Sequence, residues 1–246
     1  QRGLLNCCEH NETLGAQRDG AFSEYINMPF ERIYDGKGLS PEVLAAIEPF
    51  CISYHGAVTQ GKCKKGDKVL VIGAGTIGTL AAVAAKSQGA LVYIADVSQK
   101  KIDYANEQFN FAGTILNEGD NFIEKCMEVT EGKGFDVCIE AVGLPSTFQN
   151  AIDASAFGGR VVLIGVGKKN LDFNFTLLQK KELHVLGSRN ALKQDFLNLI
   201  GLVKSGDVAL EKVITNTYKF DEAAKAFSEF SSRGNEMLKV MINFEA

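Results

Sequence analysis

One short segment restricts the fold of this chain more than any other, the glycine-rich turn that runs from Gly73 to Gly78 as Gly-Ala-Gly-Thr-Ile-Gly. It follows the apolar run Val69–Ile72 directly and opens an alanine-rich stretch of helical character. Gly73 permits a tight turn out of a strand, Gly75 lets the backbone approach a pyrophosphate, and Gly78 allows close contact between helix and strand. Strand, turn and helix together predict the dinucleotide-binding unit of a doubly wound α/β domain.

The same segment predicts a cofactor. Unpaired backbone N–H groups of Thr76 and Ile77 at the helix start attract the negative charge of a pyrophosphate. Asp96 ends the second predicted strand, about 20 residues beyond the turn, where a carboxylate accepts hydrogen bonds from the adenosine ribose and repels a 2′-phosphate. The alternative is that Asp96 only caps the following helix. We therefore expect NAD, in preference to NADP, as the cofactor.

Short apolar runs alternate with longer amphipathic segments from Asp67 onward, which is typical of repeated strand–helix units. Strands are predicted at Lys68–Ile72, Leu91–Ala95, Thr114–Leu116, Asp136–Glu140, Arg160–Gly165 and Leu183–Leu186. Helices are predicted at Thr76–Ser87, Ser98–Phe109, Asn121–Thr130, Ser146–Ala156 and Lys193–Lys204, with Ser98 and Ser146 as N-caps. The predicted fold class is α/β, a Rossmann doubly wound six-stranded parallel sheet over residues 54–206.

Three further strand ends are candidates for contact with the cofactor, because doubly wound sheets bind ligands beyond the carboxyl ends of their strands. They are Ala141-Val142-Gly143, Gly165-Val166-Gly167 and Gly187-Ser188-Arg189. Small residues let a backbone approach a flat ligand, although each segment also fits a plain strand–loop junction. We predict that the cofactor contacts come from Ala141, Val142, Gly143, Gly165, Val166 and Ser188.

Two segments do not follow the alternation, and residues 1–53 and 207–246 are predicted to be parts of one second domain. The first contains a strand-like Ala21–Met28 and a turn at Asp35–Gly38. In the second we predict a strand, a helix and a strand, at Val213–Phe220, Asp221–Ser232 with Asp221 as N-cap, and Leu238–Phe244. Neither segment alone could bury a core, so the two are expected to pack together.

Composition narrows the class of ligand. Hydrophobic residues make up 46% and the net charge is -4, with both signs interspersed. Such a chain offers no basic surface for nucleic acid and no polybasic tract for a membrane, so small molecules are the expected ligands. The six cysteines are scattered and no apolar leader precedes them, which predicts reduced thiols in a cytoplasmic protein. The opening at Gln1, in a polar stretch, suggests an N-terminally incomplete chain.

Three further motifs carry a resemblance to a known family. They are Asp19–Tyr25, the pair formed by Ile47-Glu48-Pro49 and His55-Gly56-Ala57, and Gly66–Gly75. In this order they resemble the zinc-containing medium-chain alcohol and polyol dehydrogenases, specifically the sorbitol and sugar-acid branch. The resemblance implies a β-rich, GroES-like catalytic domain for the flanking segments. It also implies zinc-assisted, NAD-dependent oxidation of a polyol or sugar acid to a ketone.

Two residues match metal ligands of that family. Cys8 resembles the fourth cysteine of its structural zinc site, and Glu48 resembles a glutamate that binds the catalytic zinc or its water. Tetrahedral zinc needs four ligands, so we expect both zinc sites only in an intact protein, and we expect this chain alone to be inactive. The alternatives are that Cys8 is a free thiol and that Glu48 is a helix-terminal carboxylate.

The resemblance suggests roles for three more residues. Arg189 follows the sixth strand, where a guanidinium suits a sugar-acid carboxylate, although a phosphate-side or structural contact fits equally well. Lys101 resembles a basic residue near the adenosine ribose, or is a solvated helix charge. His55 is expected to be structural. Family members form homodimers or homotetramers through the edge of the sheet, which here is Leu183–Leu186.

Three alternative functions remain open at this point. A zinc-independent reductase of the same superfamily would share the cofactor site. A non-catalytic dinucleotide-binding module would bind NAD without turnover. A methyltransferase also ends its second strand in an acidic residue, but its topology differs and it would not continue the turn as Thr76-Ile77-Gly78.

Overall fold

The structure, a computed structural model, describes residues 3–36, 38–234 and 236–244. Its helices are α1 (Pro41–Tyr54), α2 (Thr76–Ser87), α3 (Gln99–Phe109), α4 (Phe122–Val129), α5 (Pro145–Ala154), α6 (Thr176–Lys181), α7 (Lys193–Lys204) and α8 (Ala223–Arg233). Its strands are β1 (Lys68–Ile72), β2 (Leu91–Asp96), β3 (Gly113–Leu116), β4 (Phe135–Glu140), β5 (Ser155–Leu163), β6 (His184–Gly187), β7 (Ile214–Lys219) and β8 (Lys239–Asn243). A π-helical turn, His55–Gln60, continues α1. None of the helices in these ranges is long and apolar enough to cross a membrane.

Six of the strands form one sheet in the order β3-β2-β1-β4-β5-β6, and all their pairings are parallel. The strand order reverses direction between β1 and β4, which makes this junction the topological switch point. The predicted fold class, a doubly wound six-stranded parallel sheet, is therefore confirmed. β7 and β8 pair with each other in a separate two-stranded parallel sheet.

Side chains along β1 alternate between two layers of the core. Val69 and Val71 belong to the layer formed with α1, α2 and α7. Leu70 and Ile72 belong to the opposite layer, formed with α4 and α5. All four are almost completely buried, which explains why this strand is a continuous apolar run, since both faces of a parallel sheet are covered by helices.

The predicted boundary between α5 and β5 is wrong. β5 begins at Ser155 instead of Arg160, and α5 ends before it at Ala154. The register between β4 and β5 shifts between Phe135 and Val137. Such an irregularity takes up extra residues within one strand, so the strand is longer than its apolar run.

Two of the predicted helix caps are also wrong. α5 begins at Pro145 with Leu144 at the N-cap position, so Ser146 lies inside the helix. Proline fits the first helical position because its fixed φ is already helical and its missing N–H is not needed there. Asp221 lies in a 3-10 turn before α8 rather than at its N-cap. Ser98, in contrast, occupies the N-cap position of α3 as predicted.

The N-terminal segment lacks the predicted strand at residues 21–28. A strand needs a neighbouring strand to pair its backbone groups, and this segment packs through its side chains instead. The ring centroid of Phe22 lies 5.7 Å from that of Phe220 and 5.3 Å from that of Phe244. α1 runs across position 53, where the domain boundary is predicted. Lys37, in the turn predicted at residues 35–38, lies outside the described residues.

Candidate functional site

The glycine turn lies at the switch point, between β1 and α2. Gly73 has a φ of +108°, and a Cβ there would lie 2.9 Å from Cγ2 of Val142. A Cβ on Gly78 would overlap the carbonyl oxygen of Gly73, so only glycine allows α2 to start this close to β1. The space beside Gly75 is open. The three glycines thus bring the start of α2 close to the sheet and leave one side of the loop clear.

Asp96 stabilises this loop from the end of β2. Its Oδ2 accepts a hydrogen bond from the backbone N–H of Ala74 at 2.7 Å, and its Oδ1 accepts one from the N–H of Ser98 at 2.9 Å. The carboxylate therefore contacts both the glycine loop and the start of α3. Its position at the carboxyl end of β2, beside the loop, is compatible with the predicted ribose contact.

Glu140, the last residue of β4, lies at the centre of the site, although no sequence motif pointed to it. Its side chain is 2% exposed. Its Oε1 accepts hydrogen bonds from the N–H groups of Val142 at 2.9 Å and Gly143 at 2.8 Å, and from the hydroxyl of Thr147 at 2.7 Å. The rule that selected Asp96, an acidic residue at a strand end, would have found Glu140 as well.

The strand ends predicted to contact the cofactor lie together at this edge. Gly143 has a φ of +86°, and a Cβ there would lie 2.7 Å from the carbonyl carbon of Val166. A Cβ on Gly165 would lie 2.5 Å from Oε2 of Glu140. The side chains of Val142 and Val166 remain exposed. These loops therefore pack backbone against backbone next to the glycine turn.

A cavity of about 370 Å³ opens at the N-terminus of α2. Thr76, Ile77 and Pro49 line it on one side, and Phe227 and Lys239 lie among its lining residues from α8 and β8. The hydroxyl of Thr76 also donates to a backbone carbonyl at residue 238, at 2.5 Å. Lys239 thus lines the same cavity as the first residues of α2, and no local sequence signal pointed to it.

The turn after β6 closes the far side of the site. The backbone N–H of Ser188 donates to the carbonyl of Leu163, at the end of β5, at 2.9 Å. The side chain of Arg189 is exposed, and its carbonyl oxygen accepts a hydrogen bond from the side chain of Asn6 at 2.9 Å. Ser188 therefore lies at the predicted edge of the sheet, and the N-terminal segment reaches that edge through Asn6.

The candidate metal ligands are not gathered into a metal site within the described ranges. Glu48 lies on the exposed side of α1, and Cys8 is an exposed free cysteine. Partial burial raises the pKa of the Glu48 carboxyl, and the positive charge of Lys239 opposes this effect. Among residues 3–36, 38–234 and 236–244, no group of three or more His, Cys, Asp and Glu side chains could hold a metal ion.

Lys101 lies in the first turn of α3 and lines a second cavity of about 300 Å³ with Lys100, Tyr104 and Glu236. The Nζ of Lys100 lies 3.1 Å from a carboxylate oxygen of Glu236. This ion pair connects α3 with the segment that precedes β8. Because α3 begins three residues after Asp96 ends β2, Lys101 lies in the same part of the molecule as that carboxylate. This position is compatible with the predicted ribose contact.

His55 is buried and paired. Its Nδ1 lies 2.7 Å from Oδ2 of Asp195, at the start of α7, and the hydroxyl of Thr59 donates to Oδ1 at 2.5 Å. Burial acts to raise the pKa of Asp195, but the hydrogen bonds from His55, Thr59 and the N–H of Leu192 together hold it below its ordinary value. The partner of His55 lies 140 residues along the chain, so local sequence patterns could not reveal it.

The sheet and its glycine loop first place the chain among the doubly wound α/β proteins. Residues 76–205 match the family described as zinc-binding dehydrogenase. The L-galactonate-5-dehydrogenase of Escherichia coli K12 is 33% identical over 242 residues, which cover 98% of this chain and 71% of that protein. The chain therefore belongs to the zinc-binding dehydrogenase family, a family of oxidoreductases, and the resemblance found in its motifs is confirmed.

Solved structures show the same relationship. An alcohol dehydrogenase from Escherichia coli CFT073, described as short chain and complexed with NADH, has a TM-score of 0.89 at 27% identity and covers 97% of this chain and 70% of its own. A zinc-binding dehydrogenase from Sinorhizobium meliloti 1021, bound to NADP, has a TM-score of 0.87 at 27% identity with the same coverage. Relatives of this fold thus include complexes with either cofactor.

Proposed function

We propose that this protein is an NAD-dependent oxidoreductase that interconverts a secondary alcohol, namely a polyol or sugar acid, and a ketone. The observation that carries the proposal is the glycine loop at the switch point, held by the carboxylate of Asp96. A pyrophosphate at the N-terminus of α2 would meet the N–H groups of Thr76 and Ile77 and the charge of Lys239. The adenosine ribose would then lie at Asp96, which disfavours the 2′-phosphate of NADP.

The second half of the cofactor would lie across β4, β5 and β6, since a doubly wound sheet binds one mononucleotide on each side of its switch point. The proposed contacts there are Ala141, Val142, Gly143, Gly165, Val166 and Ser188. Glu48 and Arg189 are the proposed residues on the substrate side. The exposed guanidinium of Arg189 suits the carboxylate of a sugar acid, which agrees with the sugar-acid relative.

Zinc, when bound, polarises a substrate hydroxyl as a Lewis acid. Glu48 and Cys8 do not by themselves meet the preference of zinc for four ligands, and the described part of the chain does not group them with other donors. The residues described here therefore do not fit a zinc site on their own. We propose zinc assistance for an intact enzyme only.

Two features of organisation belong to the same proposal. Residues 54–206 would form the cofactor-binding domain, and residues 1–53 with 207–246 would form part of a GroES-like domain that includes the β7–β8 sheet. β6 lies at the edge of the large sheet. Exposed edges favour pairing with another chain, so we propose a homodimer or homotetramer joined through this strand.

Calorimetric titration with NAD and NADP, together with turnover assays followed by NADH absorbance, tests the proposal. For this chain we expect tighter binding of NAD than of NADP and no turnover, and for an intact enzyme we expect turnover of polyols or sugar acids but not of simple primary alcohols. Failure to bind either dinucleotide would overturn it. In an intact enzyme, binding without turnover would favour a non-catalytic dinucleotide-binding protein, and turnover that persists after metal removal would favour a zinc-independent reductase.

A further inference from the structure

A chain of buried polar side chains leads from α7 to the turn after β6. Asp195 and His55, at 3% and 1% exposure, form the 2.7 Å contact described above. The Nε2 of His55 lies 3.4 Å from the side-chain nitrogen of Asn6, which donates to the carbonyl of Arg189 at 2.9 Å. The side chain of Asn190 donates in turn to the carbonyl of Asn6 at 3.2 Å. The N-terminal segment is thus hydrogen-bonded to two residues of this turn, Arg189 and Asn190.

The partners determine the direction of these hydrogen bonds. The amide nitrogen of Asn6 faces the carbonyl of Arg189, which can only accept, so this nitrogen is an NH2 group that donates. It also faces Nε2 of His55, as does the amide nitrogen of Gln60 at 3.3 Å. Because amide NH2 groups cannot accept, Nε2 of His55 is an acceptor, and its Nδ1 carries the proton donated to Asp195. The network therefore has one consistent arrangement.

The turn held by this network, residues 188–190, lies over the half of the site opposite Asp96. β5 and β6 are on the β4 side of the switch point, whereas β2 is on the other side. If the adenosine half of a dinucleotide lies at Asp96, its nicotinamide half extends toward this turn. In that arrangement the network would support the reactive end of the cofactor and not its anchoring end.

Two buried polar atoms beside the turn have no hydrogen-bond partner within the described part of the chain, Oδ1 of Asn6 and the hydroxyl of Ser188. Asn6 is 8% exposed. Buried polar groups without partners are rare and call for an explanation. Both atoms are enclosed in this structure, so a ligand would reach them only after their side chains rotate. A carboxamide, with two N–H donors and one carbonyl acceptor, would then supply the donor that each of them lacks.

We propose that Asn6 and His55 are positioning residues that hold the turn at residues 188–190 so that it receives the carboxamide of the nicotinamide. The inference rests on the proposed NAD function and adds the residues that support the reactive half of the cofactor. Neither side chain needs to touch the reacting atoms. A purely structural role would weaken all ligands alike, whereas a positioning role weakens only ligands that contain the nicotinamide.

Calorimetric titration with NADH and with ADP-ribose separates these two roles. ADP-ribose contains the adenosine, the pyrophosphate and the second ribose but lacks the nicotinamide. In Asn6→Ala and His55→Ala we expect NADH affinity to fall about three- to ten-fold, as the loss of one hydrogen bond predicts, and ADP-ribose affinity to stay the same. His55→Gln should retain most NADH affinity, because its amide can still donate toward Asp195 and accept from Asn6.

Asp67→Asn is the matched control. It disrupts the buried ion pair of Asp67 with Arg160, 2.7 Å apart, at the amino end of β1, and should lower stability without changing the ratio of the two affinities. Parallel weakening of both ligands, or unchanged NADH binding, in Asn6→Ala would overturn the inference even if His55→Ala does not fold. If the unsubstituted protein binds neither ligand, the proposed function itself fails and this inference fails with it.

Discussion

The carboxylate of Asp96 accepts a hydrogen bond from the backbone N–H of Ala74, with 2.7 Å between oxygen and nitrogen. The end of β2 is thereby connected to the glycine loop. Because the other carboxylate oxygen is bonded to the N–H of Ser98, the side chain is held in one orientation. Its negative charge is thus fixed at the adenosine side of the proposed site, where we propose that it determines the choice between NAD and NADP.

Asp96→Asn should weaken NAD binding and relax the discrimination against NADP. The substitution keeps the size and one acceptor oxygen but removes the charge. Charge-assisted hydrogen bonds contribute about 1.5–3 kcal/mol, so we expect about a ten-fold or larger loss of NAD affinity, with a gain for NADP. Titration of both cofactors measures this. Asp103→Asn, on the exposed side of α3, is the control, and an unchanged NAD affinity in Asp96→Asn would contradict the ribose contact.

Gly78→Ala should damage both stability and cofactor binding. The new Cβ would overlap the carbonyl oxygen of Gly73, so α2 must move away from β1. Overpacking of this kind costs about 1–3 kcal/mol, and the displaced helix would no longer present its N–H groups to a pyrophosphate. Urea denaturation and NAD titration on the same variant measure the two effects.

Gly201→Ala is the matched control for that experiment. Gly201 lies in α7, and a Cβ there meets no atom within 4 Å. Alanine is favoured over glycine inside helices by about 1 kcal/mol, so this variant should be more stable than the unsubstituted protein and bind NAD equally well. If the two alanine variants had the same stability and the same NAD affinity, the close approach of α2 to β1 at Gly78 would have no effect on either property.

Local patterns were sufficient to predict the sheet, because each strand and helix carries its own periodicity. The bounds of α2 and α7 agree with the prediction to the residue. Features that depend on distant partners were not predictable. His55 and Asp195 are 140 residues apart, and the Ala21–Met28 segment has the composition of a strand but no neighbour to pair with. The register shift at the start of β5 likewise depends on its pairing with β4.

Glu140→Ala should destabilise the protein strongly. The change leaves the N–H groups of Val142 and Gly143 without their acceptor, whereas the hydroxyl of Thr147 keeps a second acceptor in the carbonyl of Leu144 at 2.9 Å. An unpaired N–H group costs about 1–3 kcal/mol when it is shielded from water, so we expect the two together to lower the free energy of unfolding by about 2 kcal/mol or more. Glu140→Gln, which keeps an acceptor oxygen, should lose less. Chemical denaturation of both variants checks the order, and equal losses would show that the acceptor is not what matters.

Lys239→Met should weaken NAD binding and make it less sensitive to salt. Lys239 lines the cavity at the N-terminus of α2, where its charge would attract the pyrophosphate, and attraction between charges weakens as salt screens it. We expect about a ten-fold loss of affinity at low ionic strength. Lys225→Met, on α8, removes an exposed charge that pairs with Glu222, and it should change neither the NAD affinity nor its salt dependence. Equal salt dependence in both variants would exclude Lys239 from the phosphate site.

Glu48 predicts a pH-dependent stability of a definite sign. Burial raises its pKa above the ordinary value of 4.5, with Lys239 opposing. When the pKa of a carboxyl is higher in the folded protein than in the unfolded chain, its contribution to folding stability is fully present below the unfolded pKa. That contribution is lost as the pH rises through the folded pKa. Glu48→Gln cannot ionise, so it should be more stable than the unsubstituted protein at neutral pH, and this advantage should disappear below pH 4.5.

Glu42→Gln, on the same helix, should show the opposite sign. Hydrogen bonds from its own N–H and from Ser40 lower the pKa of Glu42. When the pKa of a carboxyl is lower in the folded protein than in the unfolded chain, its contribution to folding stability is present above the unfolded pKa. That contribution is lost as the pH falls through the folded pKa. Glu42→Gln should therefore be less stable than the unsubstituted protein at neutral pH, with the difference narrowing in acid. Thermal unfolding over a pH series measures both variants, and differences of the same sign would contradict the assignment of Glu48 as a carboxyl held in an unfavourable environment.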